Sequence, residues 1–172
     1  MQFPGLLPTI DGSRRIRKND MAYSLRRLDR DAMALDDWVA LRHALWPHLS
    51  EQGHREEAAA ILDHADRACA FLARNPERRA IGFAEATLRH DYVSGCTTSP
   101  VAFLEGIFVL PAWRRRGLAR ALCAAVESWA ASLGCTEFAS DTGLRNRASQ
   151  QMHRALGFAE TERVVFYRKR LK

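Results

Sequence analysis

The sequence has no apolar run long enough to cross a bilayer, so it holds no membrane-spanning helix and no membrane partner is expected. It has no CxxC pair, and its four cysteines, Cys69, Cys96, Cys123 and Cys135, stand at no spacing to a histidine that would complete a zinc site. No metal site is therefore expected, and the cysteines read as free thiols in a reducing cytoplasm. Internal repeats and low-complexity segments are also missing. Residues 1–20 lack the order of a signal peptide, because their charges follow the weak apolar stretch and no small-residue cleavage site stands out. Pro4, Gly5, Pro8 and Gly12 make that segment loop-like, and it is expected to be a disordered or artificially added extension. Residues 21–172 are expected to form one domain.

What is present is an ordinary globular composition: 172 residues, 47% hydrophobic and 27% charged, enough for a single core of helices on a sheet. The formal net charge is +6, a balance compatible with nucleic acid, a membrane surface or a phosphorylated ligand. No helix-turn-helix pattern and no stripe of interleaved aromatic and basic residues accompanies it, so nucleic acid is not expected as a partner. Arg14, Arg15, Arg17 and Lys18 at one end, and Arg168, Lys169, Arg170 and Lys172 at the other, read as solvated tails. Arg114, Arg115 and Arg116 differ from these in lying between an apolar run and an amphipathic one.

Residues 23–28 alternate like a short strand. Asp31 can cap a helix over 34–46, with Leu35, Trp38, Val39, Leu41, Leu45 and Trp46 on one face and Pro47 ending it. A second helix is predicted over 56–67, a short apolar strand over 70–73, a turn at Asn75-Pro76-Glu77 and a strand over 81–88. A long polar connection, 90–100, leads to 101–110 (VAFLEGIFVL), nearly continuous in apolar residues as a central strand should be. Glu105-Gly106 interrupts that run. A carboxylate in a buried strand is costly without a partner, and a glycine there suggests a bulge. Residues 117–133 form an amphipathic helix closed by Gly134, followed by a strand over 136–140, a helix over 146–156 ended by Gly157, and a last strand over 161–170. Residues 101–140 read as one βαβ crossover.

Strand, short loop and helix at 101–133 are an arrangement that can bind phosphate, although the residues alone also read as a basic, solvated helix start. The first turn of a helix leaves backbone N–H groups unpaired, and small residues let an anion approach them. Arg114-x-x-Gly117-x-Ala119 after a hydrophobic strand resembles the pyrophosphate loop of the GNAT N-acetyltransferase superfamily. Asn146, Ser149, His153 and Gly157-Phe158 are similar to its later motif. The resemblance implies an α+β fold with a central, mostly antiparallel mixed sheet, splayed at the cofactor strand and with helices on both faces. It implies acetyl-CoA as co-substrate, held by Ile107, Phe108 and Val109 along the pantetheine arm. Arg114, Arg115, Arg116, Gly117, Leu118, Ala119 and Arg120 would hold the phosphates, with Asn146 nearby. Many members have Tyr where this chain has His153, and a lone helix histidine also reads as structural.

A closer resemblance rests on Leu45-Trp46-Pro47, the residues RHDYV at 89–93, FLEGIFVLP at 103–111, ASDT at 139–142 and ETERV at 160–164. These look like the aminoglycoside 6′-N-acetyltransferases of the chromosomal Gram-negative subgroup. That implies acetyl transfer to the antibiotic, a homodimer, and Trp46, Tyr92, Glu105, Asp141 and Glu162 facing the acceptor. The chemistry agrees, since a polycation rich in hydroxyls calls for carboxylates and flat aromatic walls. Structural readings stay open beside the functional ones. Trp46 also reads as helix-end core, Tyr92 as a loop anchor, Asp141 as a turn cap and Glu162 as half of a cross-sheet ion pair. The amine must lose a proton before it attacks, with Glu105 or Asp141 as acceptor, and His153 or Tyr167 is expected to protonate the departing thiolate. Another polyamine or a protein N-terminus remains the alternative acceptor.

Overall fold

The structure is a computed structural model that describes residues 22–29 and 31–171; the segment 1–20 lies outside the described residues. Along the chain run β1 (Ser24–Arg27), α1 (Ala32–Leu45), α2 (Glu51–Asp63), β2 (Ala68–Arg74), β3 (Ala80–Arg89) and β4 (Val101–Val109). A 3₁₀ turn (Pro111–Trp113), α3 (Leu118–Ser132), β5 (Phe138–Ser140) and α4 (Arg147–Leu156) follow. The five strands lie in sequence order in one sheet. β1 to β4 pair antiparallel, and β4 pairs parallel to β5 after the crossover through α3.

Each face of the sheet carries its own core. The apolar stripe of α3, Leu118, Leu122, Cys123, Val126 and Trp129, packs on Ala73, Ile81, Ala84 and Leu104. Trp38, Val39 and Leu41 of α1 and Ala58 of α2 cover Ala70, Leu72 and Phe83 on the opposite face. This is the expected α+β arrangement with helices on both faces.

Local chemistry sets the helix ends. The Asp31 side chain accepts from Met33 N–H at 3.1 Å, as expected of a cap. α2 starts at Glu51 instead of residue 56, because the Ser50 hydroxyl caps it by accepting from Gly53 N–H at 3.1 Å. It also ends sooner, at Asp63, which frees Ala68 and Cys69 to extend β2 beyond the short run 70–73.

The strand expected over 161–170 does not form. Those residues have no regular structure, and Phe166 and Tyr167 are 90% and 92% exposed. The alternation of side chains is present, but a strand needs a neighbour for its backbone, and no described strand lies beside this one.

Phe83 is fully buried between α1 and the sheet. Phe83→Ala should lower the unfolding free energy by about 3–5 kcal/mol, measured by urea denaturation.

Candidate active site

The site is organised by an irregularity in β4. Glu85 pairs with Gly106 and the next residue of β3, Ala86, with Leu104, so Glu105 is an extra residue, a bulge. The bulge turns Glu105 outward. This corrects the expectation of a buried acid at that position: its side chain is partly exposed and tied to Thr87 Oγ1, which donates at 2.6 Å, and to Arg89 at 3.0 and 3.1 Å. The Arg89 guanidinium lies 3.4 Å from the Phe103 ring centroid.

Beyond the bulge β4 loses its second neighbour. β5 pairs only with Ala102, Phe103 and Leu104. Leu110 N–H bonds to Ile81 of β3, so alternation turns the N–H groups of Val109 and Ile107 away from β3, into the opening beside β5. Arg114 Nε occupies the Val109 carbonyl at 2.9 Å, which leaves donors as the groups facing that opening at Val109.

The loop after β4 has a backbone that can receive an anion. Arg115 and Gly117 both have positive φ, 59° and 82°. Such alternation of backbone hand turns successive N–H groups toward one concavity. Gly117 is the N-cap of α3 and supplies no side-chain acceptor, and the space in front of it is open. The Arg114 guanidinium lies 5.9 Å from the Phe108 ring and that of Arg116 lies 5.7 Å from Trp113. Arg120 is turned elsewhere and donates to the Ala155 carbonyl at the end of α4 at 2.6 Å. Asn146 caps α4, accepting from Ser149 N–H at 3.0 Å.

On the α1 side, Trp46 lies across Gly106, where any Cβ would overlap its ring. Only glycine admits the indole there. The ring is flanked by Phe83 at 6.3 Å, His54 at 6.4 Å and the Arg42 guanidinium at 5.0 Å. Arg42, Trp46, His48, Leu49, Glu57, Glu85 and Glu105 surround a cavity of about 310 Å³. Beneath it Arg42 binds Glu85 and Glu57 at once, and Trp38 Nε1 donates to the second Glu85 oxygen at 3.1 Å.

Of the acceptor residues expected from sequence, the structure gathers Trp46 and Glu105 into this cavity. Tyr92 and Asp141 sit exposed on loops, and Glu162 accepts from Ser94 in the 90–100 connection. Tyr167 lies on the exposed C-terminal segment. His153 joins α4 to the end of β5: Nδ1 is 2.8 Å from the Ser149 carbonyl and Nε2 is 3.0 Å from Ser140 Oγ. A carbonyl only accepts, so Nδ1 carries a proton, while Ser140 Oγ, the partner of Nε2, also lies 3.3 Å from the Leu104 carbonyl, to which it donates. Sequence reasoning missed Arg42, Glu57 and Glu85. For two of them a signal existed, an acid inside the apolar run 81–88 and an Arg one helical turn after Trp38 on a buried face.

Residues 36–158 match the model of the acetyltransferase (GNAT) family. The chain is 55% identical over 137 residues to the aminoglycoside N(6')-acetyltransferase type 1 of Serratia marcescens, covering 80% of this chain and 93% of that one. It is 54% identical over 136 residues to the enzyme of the same name from Salmonella typhimurium, covering 79% and 92%. Among solved structures it is similar to AAC(6')-Iy in complex with the bisubstrate analog CoA-S-monomethyl-acetylneamine, with a TM-score of 0.80, 50% identity, and 87% and 99% of the two chains covered.

Burial pushes the Glu85 carboxyl up from 4.5 to about 7, against the opposing pull of Arg42 and the Trp38 N–H. The folded protein therefore holds this proton more tightly than the unfolded chain does. The stability Glu85 contributes is complete below its unfolded value and declines as pH rises from 4.5 to about 7. Glu85→Gln should flatten that part of the profile, read from urea unfolding of both proteins at several pH values across the window.

Proposed function

The chain belongs to the acetyltransferase (GNAT) family, and on that premise we infer that it transfers the acetyl group of acetyl-CoA to the 6′-amine of aminoglycosides, conferring resistance. The observation that carries the acceptor assignment is the placement of Glu105. It stands at the bulge where β4 parts from β5, in one cavity with Trp46. A carboxylate and an aromatic wall thus meet at the edge of the opening that takes the thioester.

In this reading acetyl-CoA lies along the opening, with its pyrophosphate at the Arg114–Ala119 loop and its pantetheine arm against Ile107, Phe108 and Val109. The amine and the thioester meet in a ternary complex. An ammonium is no nucleophile, so Glu105 or Asp141 takes its proton, directly or through water. The free amine attacks the carbonyl, the Val109 N–H stabilises the oxyanion, and the C–S bond breaks. His153 is favoured over Tyr167 as the group that returns a proton to the thiolate, because it borders the end of β5 while Tyr167 is exposed. Tyr92, Asp141 and Glu162 complete the acceptor surface from the loops.

The protein is further proposed to work as a homodimer. Its C-terminal segment presents Val165, Phe166, Tyr167 and Leu171 to solvent, a run of apolar area that a second copy would cover. Ser94–Glu162 and the tight seat of Gly95 on Thr161 join that segment to the 90–100 connection, so dimer formation would also steady the loop carrying Tyr92. The four free thiols fit a cytoplasmic enzyme.

Two measurements test this. In a coupled thiol-release assay, tobramycin and kanamycin should be turned over far better than spermidine, and Glu105→Ala and Asp141→Ala should each lower kcat/KM by about 100-fold or more with acetyl-CoA binding preserved. A preference for spermidine would reassign the acceptor. In sedimentation equilibrium the protein should be a dimer, and Phe166→Asp should shift it toward monomer.

A further inference from the structure

Glu57 lies on α2, outside every motif that marks the cofactor site, yet its carboxylate lines the cavity that holds Trp46 and Glu105. Its side chain is 56% exposed, while that of its partner Arg42 is 2% exposed. A surface glutamate ordinarily samples many rotamers, and ordering it on a ligand costs entropy. This one is already held by a guanidinium that is itself fixed. Glu85 and the Trp38 indole anchor Arg42 from below, and the faces of Trp38 and Trp46 lie 5.6 and 5.0 Å from it.

The charges of the cavity show what this arrangement leaves over. In its ionised form, which prevails above about pH 7, Glu85 offsets Arg42 in the interior, and Arg89 offsets Glu105 at the bulge. Glu57 shares the already matched Arg42, so its charge is the surplus one, and it faces solvent. Its Oε1 makes no hydrogen bond among the described residues. A negative, pre-positioned acceptor in one cavity with the Trp46 wall and Glu105 suits an alkylammonium.

We propose that Glu57 is a specificity-determining residue that binds an ammonium of the acceptor other than the one acetylated, and that Arg42, seated on Glu85, is the positioning residue that aims it. This rests on the acceptor reading above. Binding at Glu57 acts before and during transfer alike, so it governs KM and leaves the chemical step untouched. Arg42 acts twice, because the same guanidinium that holds Glu57 also packs on the Trp46 face.

The test is steady-state kinetics of Glu57→Gln with tobramycin, beside thermal unfolding and a titration of acetyl-CoA. The expected result is a KM for tobramycin raised about tenfold, kcat within about twofold, unchanged acetyl-CoA affinity, and a weaker salt dependence of kcat/KM. Glu57→Asp should recover part of the loss, as a shorter carboxylate still within the cavity. Arg42→Lys, which keeps the charge but not the two-pronged grip, should raise KM in the same direction. An unchanged KM in Glu57→Gln, with wild-type enzyme active on tobramycin, overturns this inference alone. A fall in kcat without a rise in KM also overturns it. Wild-type protein that neither binds nor acetylates tobramycin overturns the acceptor reading and this inference with it.

Discussion

The register slip between β3 and β4 is the constraint on which the site depends. A single extra residue, Glu105, moves from the buried alternation of β4 to its surface. The same slip sets Gly106 opposite Glu85, under the Trp46 ring, and there the lack of a side chain lets α1 approach the strand. Past this point β4 has β3 on one side and, among the described residues, no strand on the other. An acid at the surface, an indole against the backbone and a strand with unshared N–H groups thus share one cause.

Two helices on opposite faces of the sheet divide the labour. α3 brings its N-terminus to the end of β4, behind the loop proposed to hold the cofactor phosphates, and its other face is ordinary core. α1 brings Trp46 over the bulge and roots it through Trp38 and Arg42 into the second core. The buried Arg42–Glu85 pair is an expensive element for a core of this size, since both groups lose their water and either one alone would be left uncompensated. Its position directly under the cavity, with both tryptophans packed around it, gives that cost a purpose in rigidity.

The loop proposed to hold the cofactor phosphates could be picked out in the sequence because its features are local. Pro111 stops a strand, Gly117 opens a helix, and the arginines fall between them, all within a few residues. The residues proposed for the acceptor come from distant segments, and naming them required a resemblance. The interior acid was placed at Glu105, while the buried one is Glu85, because the two strands are alike in composition and only the bulge decides which acid faces out. Glu57 gave no signal at all: on a helix surface it looks like any solvated charge until the fold sets Arg42 beneath it. The last strand failed for a related reason, since alternation specifies a pleat but cannot supply the neighbour that completes it.

The Arg89–Glu105 pair gives the resting pocket the character of an ion exchanger. The carboxylate is already loaded with a cation, one held over the Phe103 ring and bonded through a single nitrogen to both oxygens. An ammonium that takes Glu105 displaces a charge of the same sign, so the gain at that carboxylate is the small difference between two similar contacts. A monoamine would find little reason to stay. A ligand with several ammonium groups fares better, because another of its charges meets Glu57, which shares its cation with Glu85 and keeps one oxygen without a hydrogen bond among the described residues. Selection for polycations is then a property of the competition inside the pocket, and it would weaken as added salt supplied other competitors.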